Sequence, residues 1–252
     1  MIVIENENWS LNGDCVNITG DLSDRDIIEI ANIKVIRVIQ PWKYLAQESV
    51  WLDLNERIFK DRPEVVFHIW ADTFKSDFNV LAKMSNVRIL YLNQVKFKNK
   101  ETLGTLKHLK SLTIINGNVN ELNFLSKFKE LEKLELGRIK NLRDVSFISD
   151  LPKIITLNLN NQAQITSLPN FGNNKELRIV ELFQLKNLID VSSLCEIKKL
   201  KSLAFHGLSA FIEPDDFIFL KESKDLKEVF YYFNLKEKNS KFLKFKNEVL
   251  KI

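Results

Sequence analysis

The chain has 252 residues, 45% of them apolar and 28% charged, which suits a folded protein able to bury a continuous core in one elongated domain. That composition excludes a disordered chain, and no stretch reaches the roughly 18 uncharged apolar residues of a membrane span. The formal net charge of +4 sits wholly in residues 236–252, with six lysines against two glutamates, so no basic surface for specific nucleic-acid binding is expected elsewhere.

The amino end, Met1-Ile2-Val3-Ile4-Glu5-Asn6-Glu7-Asn8, lacks a basic region followed by an apolar run and does not read as a secretory leader. The two cysteines, Cys15 and Cys195, lie far apart without disulfide-rich caps, so a reducing, cytoplasmic location is expected. Residues 1–20 read as a cap, and Ser23-Asp24-Arg25-Asp26 supplies an N-cap for a helix over 25–31. Ile33/Ile36/Val38 then reads as a strand frame. A helix over 43–60 follows, carrying Tyr44, Leu45, Trp51, Leu54, Ile58 and Phe59, and Arg62-Pro63 stops it. Val65 to Ala71 reads as the next strand, in the frame Val66/Ile69/Ala71. Residues 1–64 are thus expected to hold the cap and two or three longer, diverged repeats, with a separate small domain as the alternative.

From residue 87 the pattern is regular. The frame Leu-x-x-Leu-x-Leu appears as Val87/Leu90/Leu92, Leu109/Leu112/Ile114, Leu131/Leu134/Leu136, Ile154/Leu157/Leu159, Leu177/Val180/Leu182 and Leu200/Leu203/Phe205, with a degenerate copy at Leu226/Val229/Tyr231. Anchors fall 22 to 26 residues apart. Lys140-Asn141-Leu142-Arg143-Asp144-Val145-Ser146 also returns as Lys186-Asn187-Leu188-Ile189-Asp190-Val191-Ser192, two periods later. In both copies the apolar pairs Leu142/Val145 and Leu188/Val191 are three apart, as the inner side of a helical or 3₁₀ return requires, and Asp-Val-Ser reads as the start of that turn.

In this frame and period the chain resembles the internalin-like bacterial subclass of the leucine-rich repeat family, over about residues 85 to 235. The fold class that follows is an α/β repeat solenoid, a horseshoe or arc with a parallel β-sheet on its concave face and short helical or 3₁₀ returns on the convex face. The family's buried Asn position holds Val95, Gly117, Ile139, Gln162, Leu185 and Leu208 instead. Leucine-rich repeats are expected over 65–235, and a capping helix over 236–252 with Phe242, Phe245, Val249, Leu250 and Ile252 on its apolar face. Cys195, within Leu194-Cys195-Glu196-Ile197, reads as a small buried hydrophobe.

Strand alternation sends the fourth and sixth frame positions into the core and the third, fifth and seventh outward. Most outward positions are polar, but Tyr91, Ile179, Phe183, Phe230 and Tyr232 are not, nor are Ile89 and Ile115. Apolar clusters on an outward face mark binding surfaces, although a tail helix covering the last strands would turn Phe230 and Tyr232 into core residues. The candidate partner-binding set is Tyr91, Glu135, Ile179, Glu181, Phe183, His206, Phe230 and Tyr232. Trp42, Trp51 and Trp70 form a rival aromatic set. Of the three histidines, His68 and His206 read as outward-facing, and His108 stands at a turn before a strand.

Chemistry finds little material. The sequence holds no Gly-rich phosphate loop, His-Glu-x-x-His, Cys-x-x-Cys or Gly-x-Ser-x-Gly. Glu135 and Glu181 occupy the same position two repeats apart, about 10 Å by strand spacing, and on an open face they read as solvated partner contacts rather than a glycosidase pair. No enzyme activity, cofactor or metal is expected. The expected function is binding of a partner protein through the concave face, as an inhibitor or immunity protein whose partner is a toxin. The alternative is an adaptor, or a bacterial effector acting in a host cell. The sequence leaves the oligomeric state open.

Overall fold

The computed structural model describes residues 2–42, 46–70, 79–95 and 100–251. Its contacts divide into two compact units, residues 1–118 and 119–252.

The first unit opens on an antiparallel meander of β1 (Val3–Glu5), β2 (Trp9–Asn12) and β3 (Cys15–Ile18). Gly13, at a φ of 67°, makes the tight turn between β2 and β3. Helix α1 (Asp24–Asn32) starts where the sequence predicts, with a capping box between Ser23 and Asp26, and buries Ile27 and Ile30. The strand β4 (Val38–Pro41) pairs parallel with β3. Helix α2 (Glu48–Leu54) runs on into a π turn at Asn55–Phe59, and together they bury Val50, Trp51, Leu54, Ile58 and Phe59. Tyr44 and Leu45 of the expected helix lie outside the described residues. The parallel strand β5 (Val66–Trp70) follows, then α3 (Asn79–Lys83), β6 (Ile89–Asn93), α4 (Lys100–Leu103) and β7 (Ser111–Ile115).

Two strand frames in this unit differ from the sequence expectation. Pairing Val38 with Val66 turns both outward, so the core of the β4 repeat is Ile36, Ile39 and Pro41 rather than Ile33/Ile36/Val38. The β5 repeat buries Val65, Phe67 and Ile69 rather than Val66/Ile69; Ala71 lies outside the described residues. Here the anchor precedes the strand by one residue fewer than elsewhere. Where neighbours such as Val65 and Val66 are both apolar, composition does not choose the register, and a one-residue slip flips every side chain. The chain entering β4 is held by Arg62, whose guanidinium donates to the carbonyls of Ile33 (2.9 Å) and Ile36 (2.6 Å).

The second unit contains the parallel strands β8 (Lys133–Gly137), β9 (Thr156–Asn160), β10 (Ile179–Phe183), β11 (Ser202–His206) and β12 (Glu228–Tyr232), paired in chain order and in register. Each expected core pair from Leu134/Leu136 to Leu203/Phe205 is buried. Four of the returns carry 3₁₀ turns, at Asn123–Lys127, Ser146–Asp150, Ser192–Glu196 and Pro214–Glu222, whereas the return from β9 to β10 is made of turns and bends alone. The duplicated Asp-Val-Ser starts two of them. Asp144 accepts from the Ser146 N–H at 2.7 Å and Asp190 from the Ser192 N–H at 2.8 Å, while Leu142, Val145, Leu188 and Val191 pack inward. The Ser192 hydroxyl and N–H bonds hold the Asp190 carboxyl below its ordinary value. After the antiparallel meander of the first unit, each unit thus repeats a parallel strand followed by a return.

A conformational period accompanies the sequence period. The residue after each strand from β6 to β11 adopts the left-handed region: Gln94 and Asn116 in the first unit, Arg138, Asn161, Gln184 and Gly207 in the second. Its N–H bonds the carbonyl ending the next strand, as from Asn161 to Phe183 (2.7 Å) and Gln184 to His206 (2.7 Å). That bond extends the ladder past the strand and turns the chain into its return, so an unfavourable φ is held at non-glycine residues.

Two expectations fail at the edges of the second unit. Cys195 is exposed, not buried, because Leu194 and Ile197 take the inner side of their turn and leave the intervening residues outside. In the tail, α5 (Lys236–Phe245) gives way to a π turn at Lys246–Leu250, so the helical spacing breaks and Val249 is exposed; Ile252 lies outside the described residues. Phe242 carries the packing instead. Fully buried, it meets the rings of Tyr231 (4.4 Å), Phe205 (5.5 Å), Phe217 (5.6 Å) and Phe233 (5.6 Å).

Candidate functional site

The outward sheet face of the second unit is a grid fixed by strand register. Its fifth-position row reads Glu135, Asn158, Glu181, Ala204 and Phe230, and its seventh-position row reads Gly137, Asn160, Phe183, His206 and Tyr232. The third-position row carries Lys133, Thr156, Ile179, Ser202 and Glu228. Within the grid the Asn158 amide donates to Glu181 at 2.6 Å, which fixes that carboxylate beside the aromatic end. The amide nitrogen of Gln184 lies 3.3 Å from His206 Nδ1, and the His206 ring lies 5.1 Å from that of Tyr232.

The aromatic end stands clear of the tail. Phe230 is 62% exposed and Tyr232 54% exposed, because α5 packs against the opposite side of β12, on Tyr231 and Phe233. Burial raises the Tyr231 phenol above its ordinary value. The small side chain of Ala204, buried between Glu181 and Phe230, leaves a low point in the row. Beside Tyr232 a groove of about 520 Å³ is lined by Tyr231, Asn234, Lys236, Asn239, Ser240 and Leu243. The result is an apolar, aromatic surface with carboxylates on one flank and lysine on the other.

The structure thus brings Glu135, Ile179, Glu181, Phe183, His206, Phe230 and Tyr232 onto one face, with Ile179 and Phe183 half-buried. Tyr91 belongs to the first unit, half-buried on β6, with its ring edge-on to His68 at 4.7 Å; His68 lies 5.8 Å from Trp70. Desolvation lowers the His68 pKa and favours the neutral ring. In the rival aromatic set, Trp42 and Trp70 are exposed but Trp51 is a core residue, its indole N–H donating to the Ala46 carbonyl at 3.1 Å. His108 is exposed at its turn.

Sequence reasoning missed Leu243, an exposed apolar side chain that lines the groove. The available signal was that Leu243 falls outside the helical spacing of the buried tail face. Among the described residues, no group of three or more His, Cys, Asp or Glu side chains is placed to hold a metal ion. Burial and neighbouring Asp14 push the Cys15 thiol up to about 11, away from thiolate chemistry. No described helix is long and apolar enough to cross a membrane.

No protein-family model matches the chain, and no curated protein matches it. Similar solved structures include an internalin (inlF) from Listeria monocytogenes, 14% identical over 84% of this chain with a TM-score of 0.49; the chain spans 66% of that protein's length. Internalin C2 (inlC2) from the same organism is 14% identical over 86% of this chain and 79% of its own, with a TM-score of 0.45. The leucine-rich repeat domain of the type III effector XopL is 12% identical over 84% of this chain and 81% of its own, with a TM-score of 0.48.

Proposed function

We propose that this chain is a protein-binding repeat protein whose contact surface is the outward sheet face of the second unit. The observation that carries the reading is the exposure of Phe230 and Tyr232 on β12, in register with His206 and Phe183 and flanked by Glu181. A free sheet face gains nothing from exposed aromatic rings, whereas interfaces concentrate their binding energy on such residues. A stack of short units varies each outward position without disturbing the core, which suits recognition of one folded partner. The carboxylates of Glu135, Glu181 and Glu228 favour a partner whose apolar knob is ringed by basic groups. The role proposed is that of an inhibitor or immunity protein that sequesters a toxin.

The test is titration calorimetry against the product of the adjacent gene. Phe183→Ala and Tyr232→Ala should each weaken binding by about 1–2 kcal/mol or more, while the exposed return-side variants Lys140→Ala and Lys186→Ala should bind as the parent does. Return-side variants that weaken binding more than Phe183→Ala would move the site off the sheet.

A further inference from the structure

The outermost strands of the two units differ in how their free edges are treated. On β12 the tail closes the edge. Lys246 Nζ donates to the Val229 carbonyl at 3.1 Å, and Asn239 accepts from the Phe233 N–H at 2.9 Å and donates to its carbonyl at 2.6 Å. On β1 no such cover is seen among the described residues. Its bonds to β2 run through Ile2, which accepts from the Gly13 N–H at 2.9 Å, and Asn6, which donates to Trp9 at 2.9 Å. Antiparallel alternation then turns the N–H and C=O groups of Val3 and Glu5 away from β2, toward the outside. Ile2, Val3 and Ile4 beside them are 53%, 56% and 39% exposed. Edges are ordinarily blunted by shortness, charge, Pro, a bulge or a covering element; β1 is short and carries Glu5, but it has no Lys, Pro or bulge and no cover among the described residues.

We propose that β1 pairs with β1 of a second copy of this chain, antiparallel, about a two-fold axis at Ile4. The register follows from the residues. Centring on Ile4 makes Val3 opposite Glu5 and Glu5 opposite Val3 the doubly bonded pairs, about four inter-chain hydrogen bonds. The Ile4 side chains then meet across the axis on the face of Leu11, their β2 partner, which is buried in the core. Centring on Glu5, or pairing in parallel, would set the two Glu5 carboxylates against each other. Centring on Val3 leaves a single complete bonded pair within the described strand. The segment is thus self-complementary, with apolar against apolar at the axis and each carboxylate facing a valine. An isologous contact of this kind closes at the dimer, and the plugged edge of β12 provides no second strand site from which a fibre could grow. The contact is small, so the dimer is weak.

The test uses the full chain. Sedimentation velocity should show a monomer–dimer equilibrium with a Kd on the order of 10–100 µM. Val3→Pro, which deletes an edge donor at an exposed position, should raise that Kd at least about tenfold with the monomer still folded. In a Cys195→Ser background, I4C should cross-link to a disulfide dimer under mild oxidation, because directly opposed residues place their Cβ atoms within about 5.5 Å; E5C should not. A chain that stays monomeric at about 200 µM, a dimer indifferent to Val3→Pro, or equal cross-linking by I4C and E5C would overturn the proposal. So would a monomer that takes up only an unrelated extended peptide at this edge.

Discussion

Gln162 is the residue whose environment least suits it. It occupies the position that holds Ile139, Leu185 and Leu208 in neighbouring repeats, is fully buried, and has no hydrogen-bond partner for either amide atom among the described residues. An unmet buried amide costs about 1–3 kcal/mol, so Gln162→Leu should raise Tm in calorimetry; an unchanged or lower Tm would show that the amide is satisfied. The core positions behave oppositely. Leu134→Asp or Leu157→Asp places an unpaired carboxylate in the repeat core, and either variant should lose its cooperative melt. Melting within a few degrees of the parent would put the strand frame out by a residue. His68 supplies a pH signature. Desolvation lowers its folded pKa below 6.5, so the unfolded chain binds the proton more readily as pH falls. Its contribution is therefore fully present above pH 6.5 and declines below it, toward the lowered folded value. The loss of Tm between about pH 7.5 and 5.5 should shrink in His68→Phe; an equal loss in both proteins would remove His68 as the cause.

At the scale of elements, the tail is tied to the second unit by the ring of Phe242 and by the polar side chains of Lys238, Asn239 and Lys246, Lys238 donating to the carbonyls of Ala210 (2.6 Å) and Ile212 (3.0 Å). Phe242 lies in a cluster where Phe205 and Phe217 stack at 4.4 Å, and Lys246 and Asn239 hold the β12 edge. We propose that α5 acts as the cap of the last repeat. Deleting residues 238–252 should then lower both stability and solubility, and Phe242→Ala alone should cost about 3–5 kcal/mol in denaturant unfolding. A truncated chain as stable as the parent but deficient in binding would instead make the lysine-bearing helix a contact surface. Its salt link from Lys241 to Asp215 at 2.6 Å is exposed on both partners and adds little by comparison.

For the molecule as a whole, the proposed contact surface sits on the last strands of the second unit, while the core of that unit lies on their other side. Outward substitutions at Tyr232 should consequently separate binding from stability, since its ring is exposed and touches His206 rather than the core. Phe183, half-buried, should lose some of each. This split is read by pairing the calorimetric Kd with a thermal melt for each variant. A Tyr232→Ala protein with a markedly lower Tm would place that ring in the packing instead.

The recurring Leu-x-x-Leu-x-Leu frame was enough to specify the repeat and the burial of each strand pair from Leu90/Leu92 to Leu203/Phe205, because a strand repeating at a constant interval sorts its faces by alternation alone. Ser23 and Asp26 likewise announced α1 through a bond made within four residues. Tertiary structure decided what depends on partners distant in sequence. The register of β4 and β5 was set by pairing, where Val65, Val66, Ile36 and Val38 left several apolar choices. Cys195 was turned outward by the inward claim of Leu194 and Ile197. The side of β12 that α5 covers was settled by Phe242 finding Phe205, Phe217 and Tyr231, which left Phe230 and Tyr232 in solvent. No local periodicity encodes that last outcome, since both sides of β12 are aromatic and only the position of the helix distinguishes them.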